Sequence, residues 1–111
     1  MELSLKVHTV AGRPVLDVIG EVDVYSAPEL RERLSEQLSA AQPSLIVNLA
    51  EVTFLDSTGI GTLVAGLNRA VQFGGLLTLV SDHERILKLF RITGLDSVFT
   101  ICPSVDEAIA A

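Results

Sequence analysis

This sequence is short of most features that announce a chemistry. Among its 111 residues there is one cysteine, Cys102, which excludes an intramolecular disulfide framework and fits a reducing compartment. A small buried side chain in a late strand is the expected role of that thiol. No apolar run approaches the ~20 residues of a membrane span, and the alternating N-terminus lacks the basic start and long apolar stretch of a signal peptide. Lysines and arginines number eight against fourteen aspartates and glutamates, a formal charge of -6, and nowhere do the basic residues cluster. Nucleic acid is therefore not an expected partner, because binding it draws on phosphate neutralisation. His8 and His83 have no second ligand at metal spacing. No glycine-rich loop leads into a lysine, and no Gly-x-Ser-x-Gly elbow surrounds a serine. With neither linker nor repeat, residues 1–111 read as one soluble, cytoplasmic domain without metal or cofactor. A chain of this length buries roughly two thirds of the surface its unfolded form exposes.

What is present is an alternation of strand and helix patterns. Residues 3–8, LSLKVH, alternate strictly, and PVLDVIG at 14–20 follows the turn AGRP, so an N-terminal hairpin is expected. From Ala27, Leu30, Leu34 and Leu38 recur at helical spacing with charged residues between them. SLIVNL at 44–49 is a short apolar run of the kind covered on both faces, and AEVTF after it reads as a connector. Ile60, Leu63, Val64, Leu67 and Val71 mark one face of a second helix, ended by Gly74-Gly75, where glycine takes the left-handed cap. LLTLV at 76–80 is a strand; Ile86, Leu87 and Phe90 belong to a third helix stopped near Gly94; VFTI is a last strand and SVDEAIA a terminal helix. Helical crossovers between strands imply parallel pairing. The expected fold is α/β: a mixed sheet of four to five strands with four helices, a hairpin followed by β-α-β units.

The helix starts differ in one respect. Ser26 with Glu29, Ser81 with Glu84, and Ser104 with Glu107 each match a capping box. Ser57-Thr58-Gly59-Ile60 has the serine but an apolar residue three positions on. Two readings stand: an ordinary cap whose Ile60 serves the core, or a helix end left open to an external anion. A phosphate on Ser57 would bring about -1.5 to -2 charges there. In open α/β sheets ligands bind beyond the carboxyl ends of the strands, and the stretch FLDSTGIG at 54–61 is expected near that edge. Thr62, Ala65, Gly66 and Arg69 lie off the apolar stripe of the second helix. They read as an exposed docking face, although close packing explains the interior Gly66 equally well. Leu89 and Ile92 read as core contacts, with an extension of the partner surface as the alternative. Asp17 interrupts an apolar strand and faces either solvent or a polar partner.

GEVDVYSAPEL at 20–30 and FLDSTGIGTLV at 54–64, in this order, resemble the two motifs of the STAS domain of bacterial anti-sigma factor antagonists. Gly20, Glu21, Val22, Asp23, Ser26, Ala27 and Pro28 match the first motif. Asp56, Ser57, Thr58, Gly59, Ile60 and Gly61 match the second. GGLLTLV, RILKLFRITGLD and the late VF extend the resemblance over nearly the whole chain. It implies a partner switch and not an enzyme. The unphosphorylated protein binds an anti-sigma factor, an ATP-dependent serine kinase, and so frees its sigma factor. Phosphorylation of Ser57 ends binding, and a PP2C-type phosphatase resets the cycle. Asp23, Ser26, Asp56, Thr58, Gly59, Gly61, Thr62 and Gly66 are the partner-facing residues this implies. The free form is a monomer or a weak dimer. A constitutive STAS scaffold without phosphorylation is the alternative. A small hydrolase using Ser57, Asp56 and a histidine base is a further one.

Overall fold

The computed structural model describes residues 2–111. Strand β1 (Ser4–Val10) pairs antiparallel with β2 (Arg13–Val22), from Ser4 opposite Ile19 to Val10 opposite Arg13. The hairpin turns on Ala11 and Gly12, with φ of 50° and 76°. Positive φ at both positions is what a two-residue type I′ loop requires. The other pairings are parallel: β3 (Leu45–Leu55) on β2, β4 (Leu77–Val80) on β3, and β5 (Thr100–Cys102) on β4, in spatial order β1-β2-β3-β4-β5. Helices α1 (Ala27–Gln37), α2 (Ser57–Gln72), α3 (Glu84–Ile92) and α4 (Val105–Ala110) complete the chain. This is the mixed sheet with four helices that the sequence pattern predicts.

The core divides by sheet face. Leu30 and Leu34 of α1, Leu63 of α2, and Ile86 and Phe90 of α3 pack with Leu16, Val47 and Leu79 of the strands. Phe90 and Phe99 meet edge-on, ring centroids 5.5 Å apart, the arrangement the ring quadrupoles favour. On the other face Ala108 of α4 packs with Val15, Ile46 and Val80. Coverage from both sides leaves all four residues of β4 buried, Thr78 included, as a strand with helices on both faces requires.

Strand β3 is longer than its apolar run predicts. Residues Ala50–Phe54, read as a connector, continue as strand because β2 runs alongside them. Irregular register between Asp17 and Ile19 and between Gly20 and Glu21 breaks the alternation that would have revealed it. Asn48 is the last residue paired with β4, and Ile19, opposite Glu51, is the last residue of β2 paired with β1; beyond them the sheet is a two-stranded prong of β2 and β3. Asp17 is a satisfied polar residue: His8 Nε2 lies 3.0 Å from one carboxylate oxygen and Asn48 Nδ2 donates to the other at 3.0 Å. Cys102, expected to be buried, is half-buried on β5. Leu89 packs against the core, whereas Ile92 is exposed.

The expected exposed face of α2 is corrected. Thr62 and Gly66 are buried, while Val71, placed on the core stripe, is exposed. The cause is that α2 packs on α1 as well as on the sheet, which rotates its buried arc toward α1. A Cβ on Gly66 would stand 3.1 Å from Leu34 Cδ1 and 3.6 Å from Leu77 Cδ2. The buried Thr62 hydroxyl donates to the Thr58 carbonyl at 3.0 Å. Arg69 donates through Nε to the Leu38 carbonyl at 2.9 Å and through Nη2 to the Ser35 carbonyl at 3.2 Å, closing the end of α1. At the end of α2, Gly74 N-H donates to Val71 O and Gly75 N-H to Ala70 O, the paired bonds of a Schellman cap.

Of the three expected capping serines, one caps as predicted. Ser104 Oγ accepts from Glu107 N-H at 3.1 Å. Ser26 precedes α1 but makes no side-chain cap bond, because its hydroxyl serves the loop before it. Ser81 lies one residue too early: it accepts from His83 N-H, and His83 stands at the N-cap of α3.

The burial of Gly66 makes a prediction. Gly66→Glu forces a carboxylate without a partner into the seam between α1 and α2, so stability falls by more than about 3 kcal/mol. Urea denaturation measures this; a variant within about 0.5 kcal/mol of the parent contradicts the packing.

Candidate functional site

The two sequence motifs meet at the end of the prong. Helix α1 begins just past β2 and α2 just past β3, at the carboxyl edge of the parallel strands, where such sheets place their sites. Val22 pairs with Leu55, and Asp56 N-H donates to the Val22 carbonyl at 3.3 Å. The start of α2 is thereby tied to the end of β2.

Asp56, and not Ser57, caps this helix. Its backbone is extended, its Oδ1 accepts from Gly59 N-H at 3.0 Å, and its carbonyl accepts the first helical bond from Ile60 at 3.0 Å. The position that a box-closing glutamate would occupy is consequently Gly59 and not Ile60. A Cβ there would fall 2.5 Å from Leu55 Cδ1, 2.8 Å from Val22 Cγ1 and 3.1 Å from Val22 O. Packing of the helix start on the prong excludes any side chain. The missing carboxylate is thus explained by close approach, not by room kept for a charge. Ser57 is the first helical residue, and Thr58 follows it; both are exposed. The Ser57 hydroxyl has no hydrogen-bond partner among the described residues.

The facing loop is built around Asp23. Its Oδ1 accepts from Tyr25 N-H at 2.9 Å and from Ser26 N-H at 3.0 Å. Ser26 Oγ accepts from Asp23 N-H at 3.0 Å and donates to the Glu21 carbonyl at 2.8 Å. The Ser26 backbone N-H, ahead of an opposing desolvation effect and the Tyr25 N-H, holds the Asp23 carboxyl below the usual carboxylate value. It is ionised at neutral pH and keeps the turn closed.

Asp23, Ser26, Asp56, Ser57 and Thr58 thus gather at one edge, with Gly59 buried beneath. Gly61 is exposed in the first turn of α2, with open space where a side chain would be. Thr62 and Gly66 lie further along in the α1–α2 seam and present no exposed side chain. Val24 and Tyr25, 57% and 91% exposed, had no place in the sequence reading of the site. Their signal was two large apolar residues after Asp23, outside any strand or helix period.

A hydrolytic arrangement is not assembled. His8 is bound to Asp17, five residues before Val22 along β2, roughly 16 Å at 3.3 Å per residue. His83 starts α3 beyond β4, whose last residue Val80 pairs with Asn48, well short of Leu55. Among the described residues no group of side chains could hold a metal ion, and no helix is long and apolar enough to cross a membrane.

The STAS domain family model matches residues 4–108. The chain belongs to the STAS domain family. The anti-sigma-B factor antagonist of Bacillus subtilis (strain 168) is 41% identical over 86 residues, 78% of this chain and 78% of that protein. That of Staphylococcus epidermidis is 36% identical over 101 residues, covering 89% and 94%. A crystal structure of an anti-sigma factor antagonist from Mycobacterium paratuberculosis superposes with a TM-score of 0.89 at 28% identity, over 98% of this chain and 92% of the other. The STAS fold expected from the two motifs is therefore the fold present.

The cap assignment is open to test. Asp56→Ala removes the side-chain bond to Gly59 N-H that caps α2 and costs about 1 kcal/mol, whereas Asp56→Asn retains most of it. Equal stability of the two variants in thermal melts would show that Asp56 is not the cap.

Proposed function

We propose that this chain is an anti-sigma factor antagonist acting as a phosphorylation-controlled partner switch in the cytoplasm. Unphosphorylated, it binds an anti-sigma factor, an ATP-dependent serine kinase, and releases the sigma factor held there. Phosphorylation of Ser57 by that kinase ends binding, and a PP2C-type phosphatase restores it. The protein is a binding module and not an enzyme; it uses no cofactor, and neither nucleic acid nor membrane is its partner.

The observation that carries this reading is the setting of Ser57. Its hydroxyl is exposed and unbonded at the first position of α2, while the neighbouring Asp56 already supplies the cap. A kinase can take the hydroxyl without removing a structural bond. The names of the relatives, anti-sigma-B factor antagonists in two organisms, support the same role.

The physical effect of the phosphate divides between fold and interface. At a helix N-terminus a negative group is favoured by roughly 0.3 to 1 kcal/mol at exposed sites, so the phosphorylated domain stays folded. At the binding surface the dianion joins the carboxylates of Asp56 and Asp23. Burying that patch against a partner without paired cations costs several kcal/mol, and each 1.4 kcal/mol is tenfold in affinity.

Ser57→Asp is expected to keep its unfolding free energy within about 1 kcal/mol of the parent and to lose kinase binding by more than about a hundredfold. Ser57→Ala is expected to bind and not be phosphorylated. Calorimetric titration and site mapping by mass measurement check both. Loss of the fold in Ser57→Asp would defeat the interface account, and equal binding by both variants would favour the constitutive scaffold.

A further inference from the structure

Tyr25 is the most exposed large apolar side chain among the described residues, at 91%, and Val24 beside it is 57% exposed. Single exposed apolar residues are ordinary, but the backbone that carries this pair is held in a closed turn. Tyr25 and Ser26 N-H groups both donate to Asp23 Oδ1, and Ser26 Oγ ties the turn back to the Glu21 carbonyl. A side chain presented by a pre-ordered loop loses less freedom when a partner covers it. Tyrosine is also among the residues that carry most binding energy at interfaces.

The turn adjoins the Ser57 site through Val24, while Tyr25 lines a neighbouring concavity. Val24 lines a groove of about 510 Å3 together with Ala27, Pro28, Thr58 and Thr62, between the starts of α1 and α2. A kinase that brings the γ-phosphate of ATP to Ser57 must cover the surface around that hydroxyl. A standard interface buries about 800 Å2 on each partner, enough to reach from Ser57 across this groove to the Asp23 turn. On the other side of Tyr25, Glu2, Asp23 and Glu29 line a shared concavity, so the matching surface carries cations around an apolar pocket.

We infer that Tyr25, backed by Val24, is the aromatic anchor that the kinase-type anti-sigma factor buries as it docks over Ser57. This rests on the antagonist reading above. The anchor belongs to binding alone: its side chain bonds neither the acceptor hydroxyl nor the cap, and the turn that presents it is held by backbone, Asp23 and Ser26 atoms.

The test is calorimetric titration of purified, nucleotide-loaded anti-sigma-B factor of Bacillus subtilis with the unaltered chain and with Tyr25→Ala, Tyr25→Phe and Ser57→Asp. Tyr25→Ala is expected to weaken binding at least about tenfold with an unchanged melting temperature, while Tyr25→Phe, which keeps the ring, stays within about threefold. Tyr25→Ala binding within about twofold of the parent, with Ser57→Asp losing it, overturns the anchor and leaves the antagonist reading standing. No binding by the unaltered chain overturns that reading and the anchor with it.

Discussion

Beyond Ile19 and Glu51 the sheet narrows to β2 and β3, and the pairing of Val22 with Leu55 at the tip of this prong fixes where both α1 and α2 begin. One backbone bond, Asp56 N-H to Val22 O, sets the first turn of α2 against the end of β2. The same contact forbids a Cβ at Gly59, whose neighbours on that side are Leu55 and Val22. The placement of the proposed partner-facing residues follows from this. The Asp23 turn leaves β2 on one side, Ser57 leaves β3 on the other, and neither can move far without breaking buried apolar contacts that stabilise the prong.

This constraint accounts for a helix start that is capped and yet open. Asp56 uses its carboxylate on Gly59 N-H, and Ser57, freed of that duty, points its hydroxyl into water. In the proposed switch, the phosphate then arrives on a group that the fold does not use. The positive end of the α2 dipole tolerates the added charge, while a partner surface that must exclude water around Asp23 and Asp56 does not. The proposed modification would act in opposite directions on folding and on binding because only binding requires the charges to be desolvated.

The architecture was largely legible in the sequence, since the mostly apolar β4 and the 3.6-residue spacing in α1 report burial directly, while the alternation in β1 marks a strand at the sheet edge that is only partly buried. Three things were not. The second half of β3 was hidden because it lies in a two-stranded prong with shifted register, where neither alternation nor a continuous apolar run survives. The orientation of α2 was misread because Thr62 and Gly66 pack against α1: a small buried residue and a threonine bonded to Thr58 O look polar or neutral in a hydropathy pattern. The capping serines misled at α1 and α3, where Ser26 and Ser81 bond backbone outside the helix. The pattern Ser-x-x-Glu records a possibility that loop geometry then accepts or declines. For the site, the two motifs named Ser57, Asp56 and Asp23, which lie at the ends of neighbouring strands, but the division of labour between Asp56 as cap and Ser57 as free hydroxyl required the backbone of the turn.

The proposed switch requires that a phosphate on Ser57 leave the prong intact. Amide hydrogen exchange on the chain carrying phosphoserine at position 57 measures this directly at Asp56 and Gly59, whose N-H groups are bonded to Val22 O and Asp56 Oδ1. Protection of both amides at the level of the unmodified chain, alongside lost affinity for the anti-sigma factor, is the predicted result. Loss of protection at these two positions on phosphorylation would contradict it and place the switch in the fold.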